Sequence, residues 1–192
     1  IPVLLFDRDV PDINCDKVMI NDYNAIQLAI QDFIDKGRKN IAFFSTIYQL
    51  NVGKLRRKGY QDSMRKLDSK TSKNWILNLQ LGESYQESIR HFLMANPEVN
   101  AIISADNVSG SVAINVAKDM GLKIPNDLSV IGFSDASISE MSLPRLAYLD
   151  QKAELIGKTS LRLMIDRLKN KIEPIDPVTK SIDVELFVQD SI

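Results

Sequence analysis

Short continuous apolar runs alternate along the chain with longer stretches in which apolar residues recur every three or four positions. Residues 1–6, 40–45, 75–79, 101–104 and 128–133 are runs of the first kind. Such runs suit strands covered on both faces. Residues 17–20 and 183–188 read as two further short strands. Between them lie helical patterns. The first is capped at Asn21 and Asp22, carries Ile26, Leu28, Ala29, Phe33 and Ile34, and stops at Gly37. Others span residues 54–67, 85–94 (halted before Pro97), 108–120 (closed by Gly121) and 153–169. Residues 68–73 and 170–180 read as flexible, and no internal repeat occurs.

Strands separated by helical patterns of this length indicate βαβ units and a parallel sheet. Right-handed crossovers then give a doubly wound α/β layer. In such folds a ligand sits outside the carboxyl ends of the strands. The residues of interest are therefore Asp7 and Arg8, residues 45–49, 79–83 and 105–107, and Ser134 with Asp135.

Composition narrows the chemistry. The 192 residues are 44% apolar and 26% charged, enough for one domain or one and a fraction. Lys and Arg number 24 against 25 Asp and Glu, a net charge of -1. That balance gives no basic footprint for nucleic acid and no polybasic membrane patch. One Cys (Cys15) and one His (His91) exclude an internal disulfide and a zinc site needing several such ligands. No apolar run reaches the length of a membrane span. The apolar start meets Asp7 and Arg8 at once and lacks a signal peptide's basic region. Without an initiator Met, the chain reads as a mature or excised piece.

No catalytic constellation emerges. His91 lies mid-helix, away from any strand end, and Cys15 lies in a turn with no reason to meet it. Phosphate-loop and dinucleotide fingerprints are absent. Asp7 and Asp9 point to opposite faces if extended. The strand-end polar groups suit binding better. Asp106-Asn107 marks a strand-to-helix junction, as an N-cap, an acceptor for ligand hydroxyls, or both. Arg56 is a solvated helix arginine or a ligand donor. Ser134-Asp135 follows a buried strand as a turn or a contact. Asp7 ends a buried strand, where its charge needs Arg8, a ligand or a domain-crossing residue as partner.

Together these stretches resemble the lactose-repressor (LacI/GalR) family of bacterial transcription regulators. The carrying residues are Ile1-Pro-Val-Leu-Leu-Phe-Asp-Arg8, Asp16-Lys-Val, Asn21-Asp22-Tyr, Gly37-Arg-Lys-Asn-Ile-Ala-Phe and Arg56-Arg-Lys-Gly59-Tyr60. Gly121-Leu-Lys-Ile-Pro-Asn-Asp-Leu-Ser-Val-Ile-Gly-Phe133 is the most specific stretch, followed by Pro144-Arg-Leu, Asp150-Gln151 and Ile156-Gly157. The resemblance spans essentially the whole chain.

The resemblance implies a periplasmic-binding-protein-like fold of two α/β subdomains holding a ligand between them. Residues 1–20 would be a partial N-terminal subdomain, and 21–148 most of a complete C-terminal one. Residues 149–171 would return to the first, and 172–192 would bring the last strand back to the second. The implied ligand-binding residues are Asp7, Arg56, Asp106, Asn107, Ser134, Asp135 and Gln151. Asp106-Asn107 reverses the family's common Asn-Asp order, and Ser134 stands where many members carry aspartate.

The function so implied is the effector-sensing and dimerising part of a cytoplasmic, non-enzymatic regulator, with no cofactor or metal. The effector would be a small molecule, a sugar by family default. The homodimer would use the 108–120 helix and residues 136–141. Operator DNA would be bound through a headpiece outside this chain, and no membrane is involved. The alternative is a periplasmic-type sugar-binding protein. Leu155, Ile156, Leu161, Leu163 and Leu168 need apolar cover, which predicts self-association or disorder of the partial lobe.

Overall fold

Consecutive phenylalanines show how the sheet is built. Phe43 stacks on Tyr60 with ring centroids 5.4 Å apart, while Phe44 meets Phe92 edge-on at 5.1 Å. Adjacent strand residues face opposite ways, so this strand is covered on both faces, by one helix on each. The structure is a computed structural model. It describes residues 1–10, 12–67, 75–169 and 176–192.

In chain order the elements are β1 (Leu4–Phe6), β2 (Asp16–Ile20), α1 (Asp22–Asp35), β3 (Ile41–Ser45), α2 (Asn51–Leu67), β4 (Ile76–Asn78), α3 (Tyr85–Ala95) and β5 (Ala101–Ser104). They continue with α4 (Asn107–Asp119), β6 (Ser129–Ser134), α5 (Ala136–Glu140), β7 (Ala147–Asp150), α6 (Ala153–Lys169), β8 (Thr179–Ile182) and β9 (Glu185–Phe187). They form two compact units. Unit 1 is Ile1–Asn21 with Gln151–Val184, and unit 2 is Asp22–Asp150 with Glu185–Ile192.

Unit 2 has a six-stranded sheet in the order β4-β3-β5-β6-β7-β9. Ladders from β4 through β7 are parallel, and β7–β9 is antiparallel. The sheet is therefore mixed, not purely parallel as expected. The final strand re-enters after an excursion through unit 1, so no crossover helix forces it parallel. The core joins Phe44, Ile102, Val130 and Leu146 from the sheet region to Ile89, Leu93, Ala113 and Ile114 from α3 and α4. Gly37 and Gly121, at φ 76° and 78°, end α1 and α4. In each case the next two amide N–H groups donate back to the helix's last carbonyls, from Gly37 to Ile34 and Arg38 to Phe33, and from Gly121 to Lys118 and Leu122 to Ala117.

Unit 1 has a three-stranded parallel sheet, β1-β2-β8, against which α6 packs. Asp16 is clamped by Arg167, whose Nε and Nη2 each donate to a carboxylate oxygen at 2.8 Å. The Val178 N–H donates to the same carboxylate at 2.8 Å. The Arg167 hydrogen bonds hold the Asp16 carboxyl below its usual range.

Several expectations change here. Residues 1–6 do not form a strand buried on both faces: only Leu4–Phe6 pair, at the sheet edge, and Phe6 is 60% exposed. An edge strand has one neighbour, so one row of its backbone groups is left unpaired by the sheet. The expected return at 149–171 extends further, because β8 pairs with β2 and keeps the chain in unit 1 through Val184. Only Glu185–Ile192, not all of 172–192, rejoin unit 2. β7 and the five-residue α5 had no clear periodic signal. Of the α6 residues expected to need cover, Ile156 and Leu163 are buried, while Leu155, Leu161 and Leu168 are exposed. The stretch 68–73 and most of 170–180 lie outside the described residues.

Candidate functional site

The carboxyl ends of β3, β5, β6 and β7 lie along one edge of the unit 2 sheet. Ser45, Ser104, Ser134 and Asp150 close these strands. Serines replace the branched apolar residues of the strand interiors, and Ser45, Ser104 and Ser134 are buried.

Arg56 reaches this edge from α2. It is 3% exposed, against the expectation for a solvated helix arginine. Its Nε donates to Asp22 Oδ1 at 2.6 Å, and its Nη1 donates to the Ala105 carbonyl at 2.7 Å. The guanidinium carbon lies 3.5 Å from the centre of the Phe133 ring. A buried cation is thus held by an anion, a backbone acceptor and an aromatic face. Close helix packing brings the partners together: a Cβ on Gly59 would lie 2.7 Å from the Tyr23 carbonyl of α1.

Asp106 is both cap and brace. It is 8% exposed; Oδ1 accepts from the Ser109 N–H at 2.8 Å, capping α4, and Oδ2 accepts from the Thr46 N–H at 2.8 Å. The carboxylate therefore ties the tip of β5 to the residue after β3. Ser104 Oγ lies 2.5 Å from Ser109 Oγ and donates to the Asp106 carbonyl. Asn107, half-buried, begins α4. Ser134 Oγ donates to the Asp135 carbonyl at 3.4 Å. Asp135 is exposed, and its Oδ1 accepts from the Ile138 N–H at 3.0 Å, capping α5.

Unit 2 thus assembles Arg56, Asp106, Asn107, Ser134 and Asp135 around the β5 and β6 tips. Asp7 and Gln151 belong to unit 1. Asp7 follows β1 with φ 62°, its N–H donates to the Val18 carbonyl at 3.1 Å, and its carboxylate lies 3.9 Å from Arg8. It is half-exposed, so the charge expected in a buried strand is in fact solvated. Asp9 pairs with Lys17 at 2.6 Å. Gln151 is half-buried and begins the second segment of unit 1.

Sequence reasoning missed the parts that hold these groups: Asp22 as the anion for Arg56, Thr46 as the second partner of Asp106, and Phe133 beneath the guanidinium. Asp22 read only as a helix-start residue, and nothing local links it to an arginine 34 positions on. Chemically the edge offers hydroxyls, carbonyls and carboxylates for hydrogen bonding. His91 is exposed on α3, and Cys15 is in unit 1. Among the described residues no cluster of three His, Cys, Asp or Glu side chains could hold a metal. Also among them, no helix is long and apolar enough to cross a membrane.

Comparison with known proteins agrees with this architecture. Residues 30–192 match the periplasmic binding protein-like domain family. The HTH-type transcriptional regulator CelR of Thermobifida fusca is 25% identical over 186 residues, covering 95% of this chain and 53% of that protein. The probable HTH-type transcriptional regulator EndR of Paenibacillus polymyxa is 28% identical over 188 residues, covering 94% and 54%. The chain spans about half the length of these relatives. The structure of a CelR–cellobiose complex superposes with a TM-score of 0.83 at 24% identity, covering 98% of this chain and 58% of that one. A LacI family transcriptional regulator from Enterococcus faecium with bound ribose gives 0.82 at 18% identity, covering 99% and 70%. The chain belongs to the periplasmic binding protein-like domain family, and its fold is the one carried by LacI-family transcription regulators.

Proposed function

We propose that this chain is the effector-sensing and dimerising part of a LacI-type DNA-binding transcription regulator, working in the cytoplasm and without turnover. The observation that carries the reading is the alignment of HTH-type regulators along 94–95% of the chain. The ligand would be a small molecule, and the sugars bound in two structural relatives, cellobiose and ribose, make a carbohydrate the first choice. Arg56, Asp106, Asn107, Ser134 and Asp135 would serve the ligand from unit 2, and Asp7 and Gln151 from unit 1. The polar, hydroxyl-rich strand edge supports this choice, because sugar hydroxyls both donate and accept. Ligand binding that favours one conformation would alter operator affinity, with coupling of about 1–3 kcal/mol, reciprocal between ligand and DNA. A homodimer would form through α4 and the segment 136–141; Val108 at 47% and Met141 at 83% exposure supply apolar surface there.

A periplasmic-type sugar-binding protein is the second reading. It is favoured by a structural relative described as a periplasmic binding protein/LacI transcriptional regulator complexed with D-xylulofuranose, at a TM-score of 0.78.

The test uses the full protein that carries this chain. Calorimetric titration with cellobiose, ribose and other sugars should find one that binds. That sugar should change the protein's affinity for DNA taken from upstream of its own gene. Sugar binding by an exported protein without DNA affinity would establish the second reading instead.

A further inference from the structure

The solvent face of α2 carries a basic ridge that the proposed ligand site does not use. Lys54, Lys58 and Arg65 are exposed, and they sit at positions i, i+4 and i+11 of one helix. At 100° per residue they fall within a narrow stripe, roughly 16 Å long at 1.5 Å per residue. Arg57 flanks the stripe on one side and Lys66 on the other. The opposite face, with Val52, Arg56, Gly59, Tyr60, Ser63 and Met64, is buried.

Among the described residues only Arg65 of the ridge has an acidic partner, Asp62. Asp62 is the only acidic residue of α2. It sits four residues after Lys58, where an ion pair would ordinarily form. Its oxygens are otherwise engaged: Oδ1 accepts from Arg65 at 3.0 Å, and Oδ2 accepts from Tyr23 Oη at 3.2 Å. Lys54 and Lys58 themselves are like charges at i, i+4, a spacing that weakens a helix. Local stability alone therefore does not account for this arrangement.

We infer that the exposed face of α2 is a docking surface for an acidic segment of a partner protein. Charge complementarity sets the sign of the partner. One further feature favours a polypeptide over nucleic acid. Leu55, 37% exposed and next to Lys54 in the chain, borders the ridge and offers an apolar contact that a sugar-phosphate backbone does not need. One helix face is a small interface, so the complex is transient and sensitive to salt.

The test is fluorescence anisotropy on the full protein, with two labelled probes: a peptide composed of Glu and Leu, and a random-sequence DNA duplex. The peptide should bind at low salt and weaken at roughly 0.3 M salt. The triple variant Lys54→Glu, Lys58→Glu, Arg65→Glu should lose at least about tenfold in affinity. The matching Gln variant should show a smaller loss. Lys39→Glu with Lys123→Glu, equal in kind but elsewhere on unit 2, should bind as the parent does. Circular dichroism melts check that each variant folds; should the Glu variant not fold, the Gln variant's loss relative to the Lys39/Lys123 control decides. Absence of peptide binding, equal peptide binding by the ridge variants, or a loss of duplex affinity rather than peptide affinity on ridge substitution would each overturn the assignment.

Discussion

Arg56 and Asp22 form a buried ion pair, 2.6 Å from Nε to Oδ1, with side chains only 4% and 1% exposed. Asp22 is the first residue of unit 2, immediately after the chain leaves unit 1. Arg56 therefore anchors the chain at its point of entry while its Nη1 holds the tip of β5 through the Ala105 carbonyl. Breaking a buried pair leaves one charge without compensation. Arg56→Ala should destabilise unit 2 by about 3–5 kcal/mol in urea unfolding. Arg56→Lys should recover only part of this, because an ammonium lacks the planar fork that reaches both acceptors. A double-mutant cycle with Asp22→Ala should show strong non-additivity. Additive losses would mean that the two side chains are not energetically linked.

Asp106 should respond in a graded way. Asparagine keeps an acceptor for the Ser109 N–H but cannot accept equally well at both positions. Asp106→Ala should cost about 1–2 kcal/mol as a lost cap. Asp106→Asn should cost less in stability yet loosen the Thr46 tie. Amide exchange at Thr46, faster in both variants than in the parent, is the measurement. Unchanged exchange in both would remove the brace.

Gly59 permits the approach of α2 to α1. An added Cβ would sit 2.7 Å from the Tyr23 carbonyl and 3.2 Å from the Ile26 side chain. Backbone must shift to relieve the first contact, so Gly59→Ala should destabilise by about 1–3 kcal/mol despite alanine's better helix propensity. Thermal unfolding reads this directly; a stabilised variant would contradict the packing.

Acid should loosen unit 1 through Asp16. Its carboxyl is held below the ordinary 3.8, first by the Arg167 hydrogen bonds and then by the Val178 N–H, against the opposing effect of burial. A lowered pKa in the folded state stabilises fully above the ordinary value. That stabilisation is lost as the pH falls below 3.8 through the lowered value. Arg167 stays charged throughout. Asp16→Asn should therefore flatten the stability profile below about pH 4 while lowering stability at neutral pH. An unchanged acid profile would show that other carboxylates govern it.

The chain's own pattern determined the alternation of strands and helices and most helix limits to within a few residues. Apolar runs and capping residues are local signals. Gly37, Gly121 and the capping oxygen of Asp106 act through backbone atoms one to five residues away, and so could be read directly. Ordered motifs also carried the family resemblance. Only the tertiary structure decided which charges are buried and with whom. Nothing local distinguishes Arg56, drawn 34 residues across to Asp22 and over Phe133, from Lys54 or Arg57 beside it. Helix packing at Gly59 makes that choice. The placement of β8 in unit 1 and the antiparallel entry of β9 were likewise set by pairing between distant segments. The energy of a strand edge or a buried charge depends on neighbours that are remote in sequence, and those exist only once the chain has folded.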